Sequence, residues 1–192
     1  MTENENTDNS SLASICYSQD INKKKGKIIK ENISSKIIKI IGGLLSDICK
    51  ENKPNKEETL FLLQPFIMKK IPPISIEDFL ERLLKYSKVS HEVFILTLIY
   101  IDRISNYYKF NLNYNNIHKL ILASFIVSIK FLEDDFYSMD IYAKIGGVSK
   151  KEIIYLEYEF LKLIKFNLFV KENLFDLYKS NLNNVENDYD EE

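Results

Sequence analysis

Glycine and proline are scarce in this 192-residue chain, five and four respectively. That is too few for a many-stranded sandwich or barrel, where tight turns recur about every 8–12 residues. A helical protein is expected instead. Cysteine occurs only as Cys16 and Cys49, in segments of different character and without CxxC spacing, so neither a disulfide framework nor a zinc site is indicated. Tryptophan is absent, yet 12 Tyr and 12 Phe with abundant Ile and Leu supply apolar surface for a sizeable core. Neither sign of charge dominates, since 26 basic against 28 acidic residues leave a formal net charge of -2. A protein that holds phosphate backbones usually needs a basic surface, so nucleic acid is not an expected partner. Long apolar runs are also missing: the cleanest, Leu120 to Ile129, is about half a membrane span. The opening MTENENTDNSS lacks the basic start and apolar stretch of a signal peptide. The expected setting is reducing, cytoplasmic and/or nuclear, without membrane.

Catalytic signatures are missing as well. There is no GxxxxGK[ST], no GxGxxG and no HExxH, and His91-Glu92 lacks a second histidine one turn later. His91 and His118 have no cysteine, carboxylate or histidine partners at metal spacing and read as packed or surface residues. No metal or cofactor is expected, and the chain does not read as an enzyme.

What is present is a string of helix signals. Residues 1–33 are polar, pass from acidic to the basic run Lys23 to Lys27, and are expected to form a disordered tail; the run reads as solvated, with nuclear targeting as the functional alternative. Ile37, Ile38, Ile41, Leu44, Leu45 and Ile48 share one helical face, so 34–70 is expected to hold an N-terminal helix and a linker. Gly42-Gly43 weakens that helix and suggests close approach of a neighbouring backbone. Pro72-Pro73 halts helix formation. Ser75 with Asp78 then opens a helix to about Lys88, Ser90 opens one to about Tyr108, and Asn113 or Asn115 caps a third. The third, from Ile117 to Leu132, is apolar almost all round and must be the buried centre. A short helix from Met139 ends at Gly146-Gly147, and Ser149 with Glu152 opens the next. A last amphipathic helix, 171–182, precedes an acidic tail, 183–192, expected to be disordered.

Two features of the third helix stand out. Lys130 interrupts its apolar run, either as a helix-end lysine reaching water or as a residue aimed at a partner. Glu133-Asp134-Asp135 oppose the dipole at its C-terminus. These acids either start the loop and cap the following short helix or present an anionic edge to a basic partner.

Tyr100-Ile101-Asp102-Arg103, Ser128-Ile129-Lys130-Phe131 followed by acids, Tyr142-Ala143-Lys144-Ile145-Gly146-Gly147-Val148, and Leu156-Glu157 with Phe160-Leu161 and Phe166 stand in the order and spacing of a cyclin box. The chain resembles the cyclin family over about residues 71–170. YAKIGGVS and the Pro72-Pro73-Ile74-Ser75-Ile76 entry resemble its P- or U-type, phosphate-pathway members. The resemblance implies an all-α fold, a five-helix bundle around a central helix, with flanking N- and C-terminal helices. It also implies a regulatory subunit that forms a heterodimer with a cyclin-dependent protein kinase and activates it allosterically.

By the same resemblance, kinase binding falls to Lys130 and Glu157, with Asp134 able to meet the arginines that hold the kinase's activation-loop phosphate. Departures are local. Pro73 stands where the mitotic MRAIL motif has Arg, and Phe79 where those cyclins have Trp, which puts an RxL-docking groove in question. Asp102 loses the Arg that partners it in the family, and helix register nominates Arg82 instead. About 22 residues follow Val170, too few for a second box. The rival class is a cyclin-fold transcription adaptor that activates no kinase; it calls for a basic face, against which the near-neutral balance speaks.

Overall fold

The computed structural model describes residues 34–52 and 61–189, and among them every regular element is a helix. Helix α1 covers 34–51, and a 3-10 turn at Phe61–Phe66 follows. Then come α2 (Ile76–Ser87), α3 (His91–Tyr108), α4 (Ile117–Leu132), α5 (Met139–Gly146), α6 (Lys150–Leu163) and α7 (Glu172–Tyr189). The tail 1–33 with its basic run and Cys16, the segment around Pro54 and residues 190–192 lie outside the described residues. No helix among those described is long and apolar enough to cross a membrane.

Local chemistry sets the helix ends. The hydroxyls of Ser75 and Ser149 accept from the amides of Asp78 (3.0 Å) and Glu152 (3.1 Å), satisfying N-terminal donors that otherwise lack partners. Helix α4 starts differently from expectation. Its cap residue is Asn116, whose carboxamide oxygen accepts from Asn113 N–H at 3.0 Å, while Asn113 turns its own side chain to Asn115. The asparagines thus build a turn before the helix, and the last of them becomes the cap. At the end of α5, Gly147 adopts φ +71°, and the amide of Val148 returns to Ala143 O at 3.0 Å.

Helix α4 is the centre. All of its residues from Ile117 to Ile129 are buried except Lys119, with α3 and α6 packed against it. Its two serines are satisfied along the α3 seam: Ser124 donates to Thr97 O (3.0 Å), and Ser128 pairs with the Thr97 hydroxyl (3.3 Å). Two glycines let neighbours come close. A Cβ on Gly146 would sit 2.6 Å from Leu122 Cδ2 of α4, and one on Gly42 would sit 2.8 Å from Glu77 Cγ of α2. Gly43 faces open space, so only the first glycine of its pair serves packing. Ile37, Ile38, Ile41, Leu45 and Cys49 of α1 belong to the same core, where burial pushes the Cys49 thiol up to about 12.

The segment after α6 is pinned to α3. Tyr100 donates to Leu168 O at 2.7 Å, and Arg103 donates to Asn167 O (2.7 Å) and Phe169 O (3.1 Å). Helix α7 then packs on α3 and runs to Tyr189, beyond Leu182, where the apolar pattern stops. No glycine or proline interrupts this stretch, so the backbone ladder carries the helix into the acidic segment that composition marks as a tail.

Candidate functional site

The last turn of α4 is where the central helix leaves the core. Ile129 is fully buried, whereas Phe131 and Leu132 are 46% and 42% exposed. Lys130 stands at this boundary, its charge favoured by the helix C-terminus. Helix α6 crosses beside it, held by Ile153, Leu156 and Phe160, all buried, and brings Glu157 to the same place. The Lys130 ammonium lies 2.6 Å from one Glu157 carboxylate oxygen and 2.8 Å from the other. The two residues that the family resemblance nominates are therefore neighbours. The Lys130 side chain is 36% exposed and that of Glu157 13%.

The pair sits among apolar groups. Phe131 follows Lys130 directly, and Ile154 (46% exposed) and Leu161 share the Glu157 face of α6 at i-3 and i+4. An ammonium has three donors, and a carboxylate has lone pairs left after one bond. Together they offer a donor and an acceptor, side by side, to the backbone C=O and N–H groups of another chain. A polar anchor ringed by apolar side chains is the pattern of a protein interface centre.

The three acids after α4 divide. Glu133 Oε1 accepts from both the amide (3.0 Å) and the hydroxyl (2.8 Å) of Ser90, tying the start of α3 to the end of α4. It holds Ser90, the N-cap residue of α3, and not the short helix α5, whose own N-cap is Ser138. The physical reason is the extended backbone at Glu133 (φ -103°, ψ 132°), which leaves its carboxylate by the positive end of α3. Asp134 and Asp135 are exposed and make no ion pair among the described residues.

Asp102 is not paired with Arg82. Its carboxylate accepts from the Tyr178 hydroxyl of α7 at 2.6 Å, and burial, followed by this bond, raises the phenol's pKa well above its ordinary value. The Arg82 guanidinium instead stacks 5.6 Å from the Phe79 ring centre and packs against Gly147, where a Cβ would meet its Nη2 at 3.2 Å. Helix α2 carries Arg82 toward the C-terminus of α5, so register alone misjudged its direction. Phe79 is 3% exposed and lies against His118, with ring centres 5.3 Å apart. The bonds of Tyr178 to Asp102 and of Ser90 to Glu133 left no mark in the sequence because their partners lie 76 and 43 positions away.

His118 is packed, its Nε2 3.1 Å from Ile74 O and its Nδ1 buried without a partner. Among the described residues, no group of three or more His, Cys, Asp or Glu could hold a metal ion.

A family model described as Cyclin matches residues 4–168, reaching well before the 71–170 stretch that carries the motifs. The chain is 36% identical over 149 residues to PHO85 cyclin-like protein psl1 of Schizosaccharomyces pombe, covering 70% of this chain and 61% of that protein. It is 32% identical over 154 residues to Cyclin-U4-1 of Arabidopsis thaliana, covering 79% and 76%. To PHO85 cyclin-7 of Saccharomyces cerevisiae it is 34% identical, covering 69% of this chain and 51% of that one. The chain thus spans between half and three quarters of the length of these relatives.

Proposed function

We propose that this chain, which belongs to the cyclin family and is similar to its P- and U-type members, is the regulatory subunit of a cyclin-dependent protein kinase. It is a binding protein, not a catalyst. Lys130 and Glu157 anchor the backbone before the kinase's regulatory helix, and Phe131, Ile154 and Leu161 receive apolar side chains of that helix. Binding holds the helix inward, so that the kinase's own Lys–Glu ion pair and magnesium-binding Asp come into line. Asp134, exposed beside the anchor, meets the arginines that otherwise hold an activation-loop phosphate.

The observation that carries this reading is the Lys130–Glu157 contact in the last turn of the buried central helix, where it reaches the surface. Two relatives are named as PHO85 cyclins, which supports a kinase partner of that class. The test is a pull-down with the tagged full chain beside its Lys130→Ala, Glu157→Ala variant, assayed for co-purifying protein-kinase activity. Truncating such an anchor typically costs about 2–5 kcal/mol of binding, so activity is expected with the wild type alone. Equal activity with both sinks the assignment of the anchor, and none with either favours the adaptor class.

A further inference from the structure

Helix α6 turns two phenols to solvent, Tyr155 (51% exposed) and Tyr158 (55%), and exposure alone does not separate them. Their places around the helix do. Successive residues are rotated by about 100°. Counted from Glu157 away from the core, Leu161 stands at about 40°, Ile154 at about 60°, Tyr158 at about 100° and Tyr155 at about 160°. The fully buried Ile153, Leu156 and Phe160 fall on the other side of Glu157. Tyr158 is i+4 from Ile154 and i-3 from Leu161, beside both on the helix surface. It thus completes an apolar patch whose opposite edge is the Lys130–Glu157 contact. Tyr155 has polar neighbours instead, with Lys151 and Glu152 one turn before it and Glu159 one turn after.

The Tyr158 ring is also held. The Lys162 ammonium lies 5.3 Å from its centre, and Glu159, 3.0 Å from that ammonium, keeps the cation in place. Part of the cost of ordering the side chain is therefore met before a partner arrives. The phenol hydroxyl makes no hydrogen bond among the described residues, so it keeps a donor and an acceptor for another chain.

We infer that Tyr158 is a further anchor of the interface, an assignment that rests on the kinase reading, and that Tyr155 lies on its rim. The occupant is the kinase because the ring continues the apolar surface that flanks Lys130 and Glu157. An aliphatic side chain of the kinase's regulatory helix packs on the ring, and the hydroxyl bonds a polar group beside it. A tyrosine buried between apolar neighbours is among the residues that carry most of an interface's energy, whereas one ringed by charges at the rim adds little. The footprint on α6 therefore runs from Glu157 through Leu161 and Ile154 to Tyr158 and stops short of Tyr155.

The test is a displacement assay with the full chain. Protein kinase that co-purifies with the tagged wild-type chain is held on resin, untagged chain is added over a range of concentrations, and the phosphotransfer activity left on the resin is measured. Half-release is expected to need about tenfold or more Tyr158→Ala than wild type, and less than about twofold more Tyr155→Ala. Tyr158→Phe should stay within about threefold of the wild type, since the ring carries most of the contact. The Lys130→Ala, Glu157→Ala chain should release nothing. Far-UV circular dichroism and thermal midpoints should match the wild type in both tyrosine variants, because both rings are exposed. Equal effects of the two alanine changes overturn the inference. So does release by Tyr158→Ala as efficient as by the wild type while the Lys130→Ala, Glu157→Ala chain releases nothing, and the kinase reading then stands without it. No kinase on the wild-type resin removes both.

Discussion

Lys130 and Glu157 meet across 27 positions of sequence, the ammonium within 2.8 Å of both carboxylate oxygens. Neither helix needs that contact to be where it is. Ser128 and Ile129 on one side, and Leu156 and Phe160 on the other, are fully buried and hold the two backbones in place. Exposed ion pairs contribute about 0–1 kcal/mol to stability. Exchanging the residues, Lys130→Glu with Glu157→Lys, should therefore lower the thermal midpoint only slightly, through an acid placed at the C-terminus of α4, and keep a pair between the two helices. Kinase binding should nevertheless fail, because donor and acceptor have traded places. Retained co-purification with the exchanged chain means that the pair is only a surface contact.

Asp134 has a separate expected signature. On the proposed reading Asp134 meets the activation loop and not the anchor, so charge reversal, Asp134→Lys, should lower the activity of the assembled kinase without dissociating it. The same change at Glu133 should instead lower stability, since Ser90 N–H and O–H both rely on that carboxylate. Kinase assays on purified complexes, with thermal melts of each free chain, separate the two. If both reversals behave alike, the division of the three acids is wrong.

The glycines allow a sharper packing test. An alanine at Gly146 places its Cβ 2.6 Å and 2.7 Å from the two methyls of Leu122. Overpacking of this kind costs about 1–3 kcal/mol. Gly43 faces nothing within 4 Å in mid-helix, so Gly43→Ala should raise stability by up to about 1 kcal/mol. Calorimetric melts should move in opposite directions, and a shared direction would contradict the packing described for α5 on α4.

His118 should make stability depend on pH. Burial lowers its pKa below the ordinary 6.5, outweighing the help of the Ile74 carbonyl. With the folded value below the unfolded one, the unfolded chain takes up the proton first as pH falls. This contribution to stability is therefore intact above about pH 6.5 and declines as pH drops below it. Urea midpoints between about pH 5 and 7.5 should show this slope, and His118→Gln should flatten it.

The helices were legible because their signals are local. Ser75 with Asp78, Ser149 with Glu152, and Gly147 each bond within a few positions, so spacing alone announces them. The all-round apolar run of Ile117 to Leu132 likewise marks a buried helix wherever its neighbours fall. Lys130 drew notice as the cation that ends the apolar run from Leu120 to Ile129, but Glu157 has no such mark among three similar glutamates on α6. It was named by family resemblance, and the core packing is what carries it to Lys130.

What the sequence by itself determined is where α2 to α6 lie and that α4 is central, since those follow from periodicity and capping within a few residues; the burial of Leu44 and Ile48 in α1 and the end of α7 at Leu182 were expected from the same signals and do not hold. Only the tertiary structure decided that Asp102 takes Tyr178 and not Arg82, that Glu133 holds the cap residue of α3, and that one acid of three is spent while Asp134 and Asp135 stay exposed. Such pairings join residues 43 to 76 positions apart. They depend on how far each helix has rotated about its own axis when the core closes, which no local spacing encodes.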